Sequence, residues 1–559
     1  MDHLLDLRLP RASCDATPSV VAQLCLQFAQ LQADFATLRL ENLELRQQAG
    51  YWKSCHQRAR ERIDKLRHEL ELVRGHNRQL QDQQFGTKTE KQSKADRSNT
   101  LEGFDEIEPD PDQPNKPRVV PKRRDFNHLP TKTEVVELPE DQRVCPQCGQ
   151  PRQAMTDTED SEQLEIEVRA YRRVIRRKRY RQTCSSPDCQ TTTAPVPPKL
   201  LPKSLLGTSI WIEILLAKYR NHQPIERFLA SWKLTGLDLA ASTVNTGLER
   251  LQPLFEPVYE AIHDRNRAST YQQADETRWL VFTEIEGKMG YRWWLWVFLG
   301  EDTVVYVLDP RRSHAVPEDH FTAGISIILM VDRYAAYQAM EPVKNGLIVL
   351  AFCWAHVRRD FVRVGKSYPE LKAWAIDWLE LIREAYRCNR RRVTQLGTPE
   401  FAATDAKLRE IVELMKSKAA EQLSDAKLRA ACQTALESLQ KHWVGLTRFV
   451  DDPRIPMDNN RSERELRGPA LGRKNYYGSN SRWSGQLAVI LFSIFATLSK
   501  WQINPRTWVK FYLDACASAG GTAPSDVREF LPWLMSEDRR KQLGEAIPFR
   551  PMSEELNSS

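Results

Sequence analysis

Long apolar stretches are scarce in this 559-residue chain, and none reads as a bilayer span. The longest nearly apolar run, LAVILFSIFATL at 487–498, falls short of the ~20 residues a spanning helix needs and reads as a buried helix. The opening MDHLLDLRLPRAS lacks the cationic flank and apolar core of a signal peptide. Cysteine is scarce: eleven in all, seven scattered singly and four in two close pairs, which excludes a disulfide framework and suits a reducing compartment. These absences predict a soluble cytoplasmic protein with no membrane partner. Basic charge is present in modest excess, 81 Lys and Arg against 74 Asp and Glu, net +7, which fits a polyanionic partner without requiring one. The length exceeds what one core serves, so several units are expected.

The clearest periodic signal comes first. Leu24, Leu31, Leu38, Leu45 and Trp52 recur every seven residues and continue through Ala59, Leu66, Val73 and Leu80. Val21, Phe28, Phe35, Asn42, Ala49, His56, Ile63, Leu70 and Asn77 keep the same interval three positions ahead. Residues 1–86 are therefore read as a coiled coil and a homo-oligomer contact, with Asn42 and Asn77 fixing register; one long amphipathic helix packed on its own protein is the alternative. Residues 87–134 carry few large apolar groups and read as a disordered linker. In 135–200, Cys145-Pro-Gln-Cys148 and Cys184-Ser-Ser-Pro-Asp-Cys189 form two knuckles that could bring four thiolates around a structural zinc ion; a redox pair or chance pairing are the alternatives. Between them, VRAYRRVIRRKRYR places eight basic residues with no acid. Its Arg176, Arg177, Lys178 and Arg179 are candidate phosphate contacts, although a solvated strand face gives the same pattern.

Residues 201–268 read as short helices around turns, with Ser242 as an N-cap; a helix-turn-helix DNA-binding unit and a plain helical bundle fit equally. From 269 the period changes to strands: YQQADETRWLVFTE, YRWWLWVFLG, DTVVYVLD, ISIILMVD and LIVLAFC. The last two are continuous enough to be buried on both faces, which predicts three antiparallel strands followed by two parallel ones. Asp275 lies in the first strand and Asp332 ends the fourth, where carboxylates of neighbouring strands could meet over a hard cation. Residues 366–452 read as an all-α insertion between two parts of one core, 269–365 and 453–515, with 516–559 as a C-terminal tail.

In PMDNNRSERELRG at 456–468, Glu463 and Glu465 sit among Arg461, Arg464 and Arg467. Either Asn460 caps a helix and Glu463 closes a capping box, or Glu463 is a metal ligand while the arginines, joined by Arg473 and Lys474, meet phosphates. Glu465 lies about 200° around the helix from Glu463, so the two cannot share one site.

Several stretches carry a resemblance. ADETRW, VDRYAAY, FCWAHVRRDF at 352–361, and LTRFVDDPRIPMDNNRSERELRGPALGRKNYYGS at 446–479 resemble transposases of the insertion sequence 66 family, as do FGTKTEK, NHQPIERF and FLPWL. The resemblance implies a multidomain α/β protein whose DDE-type catalytic core is a ribonuclease H-like mixed sheet. It makes Asp275, Asp332 and Glu463 the acidic triad holding two Mg2+ or Mn2+ ions. It implies a bacterial enzyme that cuts the ends of an insertion sequence and joins the 3′-hydroxyls to target DNA by transesterification, with accessory proteins of the same element as further partners. Cys353-x-x-His356 resembles a signature of related DDE enzymes, read here as support for the core. A catalytically silent DNA-binding regulator and a structure-specific nuclease of the same fold are the alternative functions. The chain departs from the family pattern at Asp332-Arg-Tyr and Asn475-Tyr-Tyr, which bears on DNA contacts and leaves the carboxylates in place.

Overall fold

The computed structural model describes residues 18–85, 147, 150–151, 170–180, 192–284, 290–321 and 326–544. The four cysteines Cys145, Cys148, Cys184 and Cys189, and with them the zinc expectation, lie outside the described residues, as does the linker at 87–134.

The heptad segment forms one helix, α1 (Pro18–Phe85), of 68 residues. Its seam residues, among them Phe28, Leu31, Phe35, Leu38, Leu45, Trp52 and Ile63, are exposed along its length. The basic stretch is extended and exposed, and contributes β1 (Arg179–Tyr180), paired antiparallel with β2 (Thr192–Thr193).

A five-stranded sheet forms the centre: β3 (Tyr271–Leu280), β4 (Arg292–Leu299), β5 (Val304–Asp309), β6 (Ile327–Val331) and β7 (Ile348–Phe352). Their spatial order is β5-β4-β3-β6-β7. The first three pair antiparallel, β6 joins β3 in parallel and β7 joins β6 in parallel, the mixed arrangement expected from the strand runs.

Three helices precede the sheet, α2 (Thr208–Leu215), α3 (Ile225–Lys233) and α4 (Ala241–Arg267). The start of α4 corrects the cap expectation: Ala240, not Ser242, holds the N-cap position, and no side chain caps it. These helices do not stand apart. Trp211, Leu248 and Phe255 belong to the same buried cluster as Trp296 and Val305 of the sheet, because their apolar faces find cover only there.

After β7 comes α5 (Trp354–Ser367), and then α6 (Lys372–Thr394), α7 (Phe401–Ser424) and α8 (Ala430–Lys441), helices that fall in the 366–452 interval read as an all-α insertion. They are pinned by Arg392, a fully buried guanidinium that donates to Asp405 Oδ1 at 2.6 Å and to the carbonyls of Phe449 and Val450. The chain then returns as α9 (Asn460–Tyr476), α10 (Arg482–Lys500) and α11 (Pro505–Ser518).

The apolar run at 487–498 lies inside α10, which has the length and composition of a spanning helix but is packed in the core between β5 and α4. Ser481 and Ser484 cap its start reciprocally. Its Ser493 and Thr497 hydroxyls accept from the backbone N–H groups of Tyr306 (2.9 Å) and Val304 (3.0 Å) on the edge strand β5. Those amides have no neighbouring strand, and the helix supplies the missing acceptors. Residues past 516, expected as a tail, fold back as well: Phe530 is buried and its carbonyl accepts from Trp508 Nε1.

Candidate active site

The register of the parallel pair sets Gln273 opposite Met330. Carried two residues on, the same register sets Asp275 beside Asp332, which directly follows β6. Neighbouring strands lie about 4.8 Å apart, so two carboxylates at matched positions look onto the same face. That face is the one α9 covers. Gln273 Oε1 accepts from Ser462 N at 3.3 Å, and Arg473 donates to Thr277 Oγ1 at 3.1 Å and to the Arg278 carbonyl. Asp275 shares a face with Gln273 and Thr277, so it lies under α9 between the Ser462 and Arg473 contacts, on the side of the sheet that this Glu463-bearing helix covers.

Burial raises the Asp275 carboxyl most, and the negative charges of Glu276, Asp332 and Glu463 add to it, taking it to about 8. Its Oδ1 accepts from Glu276 N at 2.8 Å. Asp332 Oδ1 accepts from Tyr334 N at 2.9 Å.

Glu463 is turned to a different partner. Its Oε1 accepts from Arg359 Nη2 at 2.6 Å and lies 3.8 Å from His356 Nε2, both on α5. This settles the capping alternative. Asn459 rather than Asn460 is the N-cap of α9, its side chain makes no cap bond, and Glu463 answers a guanidinium instead of backbone amides. Among the described residues no three His, Cys, Asp or Glu side chains stand close enough together to hold a metal ion. The three acids share one field and one face, but they are not drawn into a closed cage.

The neighbouring residues explain how the acids are placed. Glu276, on the opposite face of β3, is neutralised by Arg312 at 2.6 Å and by the Tyr337 hydroxyl at 2.8 Å. Arg312 also lies 4.1 Å over the Tyr334 ring, and Tyr334 Oη donates to the Arg312 carbonyl at 2.8 Å. That clasp joins the strand of Asp275 to the turn after Asp332. Arg333 is held by Asp360 of α5 and donates to Ser438 Oγ of α8 at 2.8 Å. Both residues by which Asp332-Arg-Tyr departs from the family pattern thus have partners within the chain. Asn475 and Tyr476 do too: Asn475 Nδ2 donates to the His222 carbonyl at 2.9 Å, and the Tyr476 ring packs edge-on against Trp279.

Cys353 is fully buried, and its sulfur accepts from Asn459 N at 3.4 Å, while Trp354 N donates to the Met457 carbonyl. The C-x-x-H pair therefore fastens the segment that leads into α9 and sets His356 against Glu463. After α9, Gly478 adopts φ +145° where any Cβ would collide with the Leu280 carbonyl, and Ser479 N donates to that carbonyl at 2.8 Å. The far end of α9 is thereby fixed to β3. Arg461, Arg464, Arg467 and Lys474 stay exposed, whereas Arg473 is committed to β3.

A family model described as "Transposase IS66 family" matches residues 203–487, half of the chain, and spans Asp275, Asp332 and Glu463. The chain belongs to that family. It is similar to two proteins of Sinorhizobium fredii whose names give no activity. Uncharacterized protein y4jD is 27% identical over 434 residues, 75% of this chain and 82% of the relative. Uncharacterized protein y4hP is 24% identical over 422 residues, 71% of this chain and 74% of the relative. Membership in the IS66 transposases implies a role in DNA transposition, with DNA as the partner and divalent metal use.

Sequence reading missed Arg359, Arg312 and Arg333. A signal existed for Arg359, three residues beyond His356 on one helix and so on the same face. Nothing in the sequence tied Arg312 to Glu276, because only the fold brings those segments together.

Proposed function

We propose that this chain is a DDE transposase with a ribonuclease H-like core, in which Asp275, Asp332 and Glu463 serve strand cleavage and strand transfer at the ends of an insertion sequence. The observation that supports the reading is the parallel β3–β6 pairing, which ends at Gln273 and Met330, two residues short of Asp275 and Asp332, together with the charges of Asp332 and Glu463 acting on Asp275. The donor set fits a hard divalent cation: all oxygen, with an aspartate whose carboxyl is raised first by burial and then by the neighbouring carboxylates. Bound there, such ions would activate the attacking water or 3′-hydroxyl and stabilise the leaving oxygen.

The chain's own residues do the rest. Asp275 and Asp332 are held in place by strand register and by the Arg312–Glu276–Tyr337 clasp behind them. Glu463 faces the two aspartates only by leaving Arg359, so Arg359 keeps the resting site open. Arg461, Arg464, Arg467 and Lys474 are free to meet phosphates along α9 and to position the strand without reading sequence. The exposed Arg176, Arg177, Lys178 and Arg179 extend the cationic surface, although Arg177 also donates to the Ala194 carbonyl. The exposed seam of α1 pairs with a second copy, because two element ends need two sites. The spacing of the four cysteines supports a structural zinc unit beside the basic stretch.

The test is Mg2+-dependent cutting of labelled element-end DNA. D275N, D332N and E463Q should each lower cleavage by about a thousandfold or more while end-binding persists, since each removes one donor from a shared set. Full cleavage by any one of them sinks the assignment. The Arg359–Glu463 contact favours one second reading, a DNA-binding regulator with a silent site. Wild-type protein that binds element ends but never nicks them in Mg2+ or Mn2+ would establish that reading instead.

A further inference from the structure

The end of α1 is not free. It packs against α5 and α8 through a small set of specific contacts. Arg78 Nη1 donates to the Ser367 carbonyl at 2.9 Å, and Tyr368 Oη donates to the Glu71 carbonyl at 2.6 Å. Glu71 Oε1 pairs with Arg429 at 2.8 Å. Gly75 is buried where a Cβ would collide with Tyr368 Oη, so the helix comes this close only because residue 75 has no side chain. Beneath the contact, Val364, Tyr368, Ala431, Cys432 and Ala435 form a small apolar cluster separate from the main core.

The residues that make this seat are the wrong ones for the heptad seam. Glu71, Gly75 and Arg78 centre about 133° around the helix from Leu70, Val73 and Asn77, at 100° per residue. Leu70 and Val73, alongside the seat in sequence, remain exposed like the rest of the seam. One helix therefore presents two faces, one seated on its own chain and one uncovered over its length.

We infer that α1 is a strut: its seated face fastens it to the insertion while its seam pairs with α1 of a second copy of this chain. The occupant is a second copy because the apolar seam keeps one register from Phe28 to Val73 with a polar Asn42 inside it, a pattern that complements itself. The pairing rests on the self-association proposed above, whereas the seat stands on its own contacts. Together they carry two catalytic units at a set separation. The seat also rests on α8, the helix whose Ser438 braces Arg333 beside Asp332.

The full-length protein tests this by sedimentation velocity and by amide exchange at 364–371 and 430–436. Gly75→Leu should leave self-association intact and raise exchange in both segments several-fold. Leucine forms helix better than glycine, so α1 itself is not weakened. Glu71→Ala should act in the same direction, more weakly. Leu38→Lys with Leu45→Lys should give a monomer whose exchange at both segments matches wild type. Unchanged exchange in Gly75→Leu overturns the seat. Loss of protection in the seam variant overturns the division into two faces. A monomeric wild type overturns the pairing alone, and the Gly75→Leu result then still decides the seat.

Discussion

At the scale of single residues, Asp275 is held at a cost to the fold. Asp275 ionises near 3.8 when exposed and near 8 in the folded chain, so the folded state keeps its proton over that whole window. The unfolded chain binds fewer protons there, and the contribution of Asp275 to stability falls as pH rises from about 4 to 8. The metal-free D275N variant should accordingly be more stable than wild type at pH 7.5, by about 1–3 kcal/mol, and the difference should vanish near pH 4. Denaturant unfolding at the two pH values checks both the gain and its pH dependence. A destabilised D275N at neutral pH would mean that the carboxylate has a cationic partner. The family was legible from the sequence, and the proposal of Asp275, Asp332 and Glu463 as its acids rests on that resemblance. The Arg359 contact of Glu463 was not legible, since an ion pair between residues 104 positions apart leaves no local pattern.

Among elements, the strands announced themselves best. The turn-prone gaps between β3, β4 and β5 and the unbroken apolar runs of β6 and β7 predicted both pairing senses, although β4 is as continuously apolar and buried as the parallel strands. The helix N-termini were harder: Ala240 and Asn459 occupy cap positions without capping, so the residue signals of Ser242 and Asn460 misled by one or two places. The role of α10 was only half visible. Its burial followed from composition, but its hydroxyls serving the β5 amides required the fold. Thr497→Val, nearly isosteric, should leave the Val304 amide without an acceptor and cost about 1–3 kcal/mol. Chemical denaturation reads that loss, and a neutral result would show that the edge amide finds another partner. Ser493→Ala should act likewise on Tyr306.

Across the whole molecule, the boundaries drawn from sequence mark changes of pattern more than independent bodies. The helices at 208–267, the two parts of the sheet core and the C-terminal helices share one buried cluster, because amphipathic faces seek cover wherever the chain returns. The helices within 366–452 were legible from their uninterrupted helical period, and the bracing of Arg333 by Ser438 on one of them was not. The account depends on this assembly bringing β3, the turn after β6 and the first turn of α9 to one cation site. Anomalous diffraction from crystals of the full chain with element-end DNA, soaked in Mn2+, measures that directly. The predicted result is Mn2+ density bounded by the carboxylates of Asp275, Asp332 and Glu463, with Arg359 turned away from Glu463. Mn2+ density that excludes Glu463, with the Arg359 pair intact beside bound DNA, would contradict it.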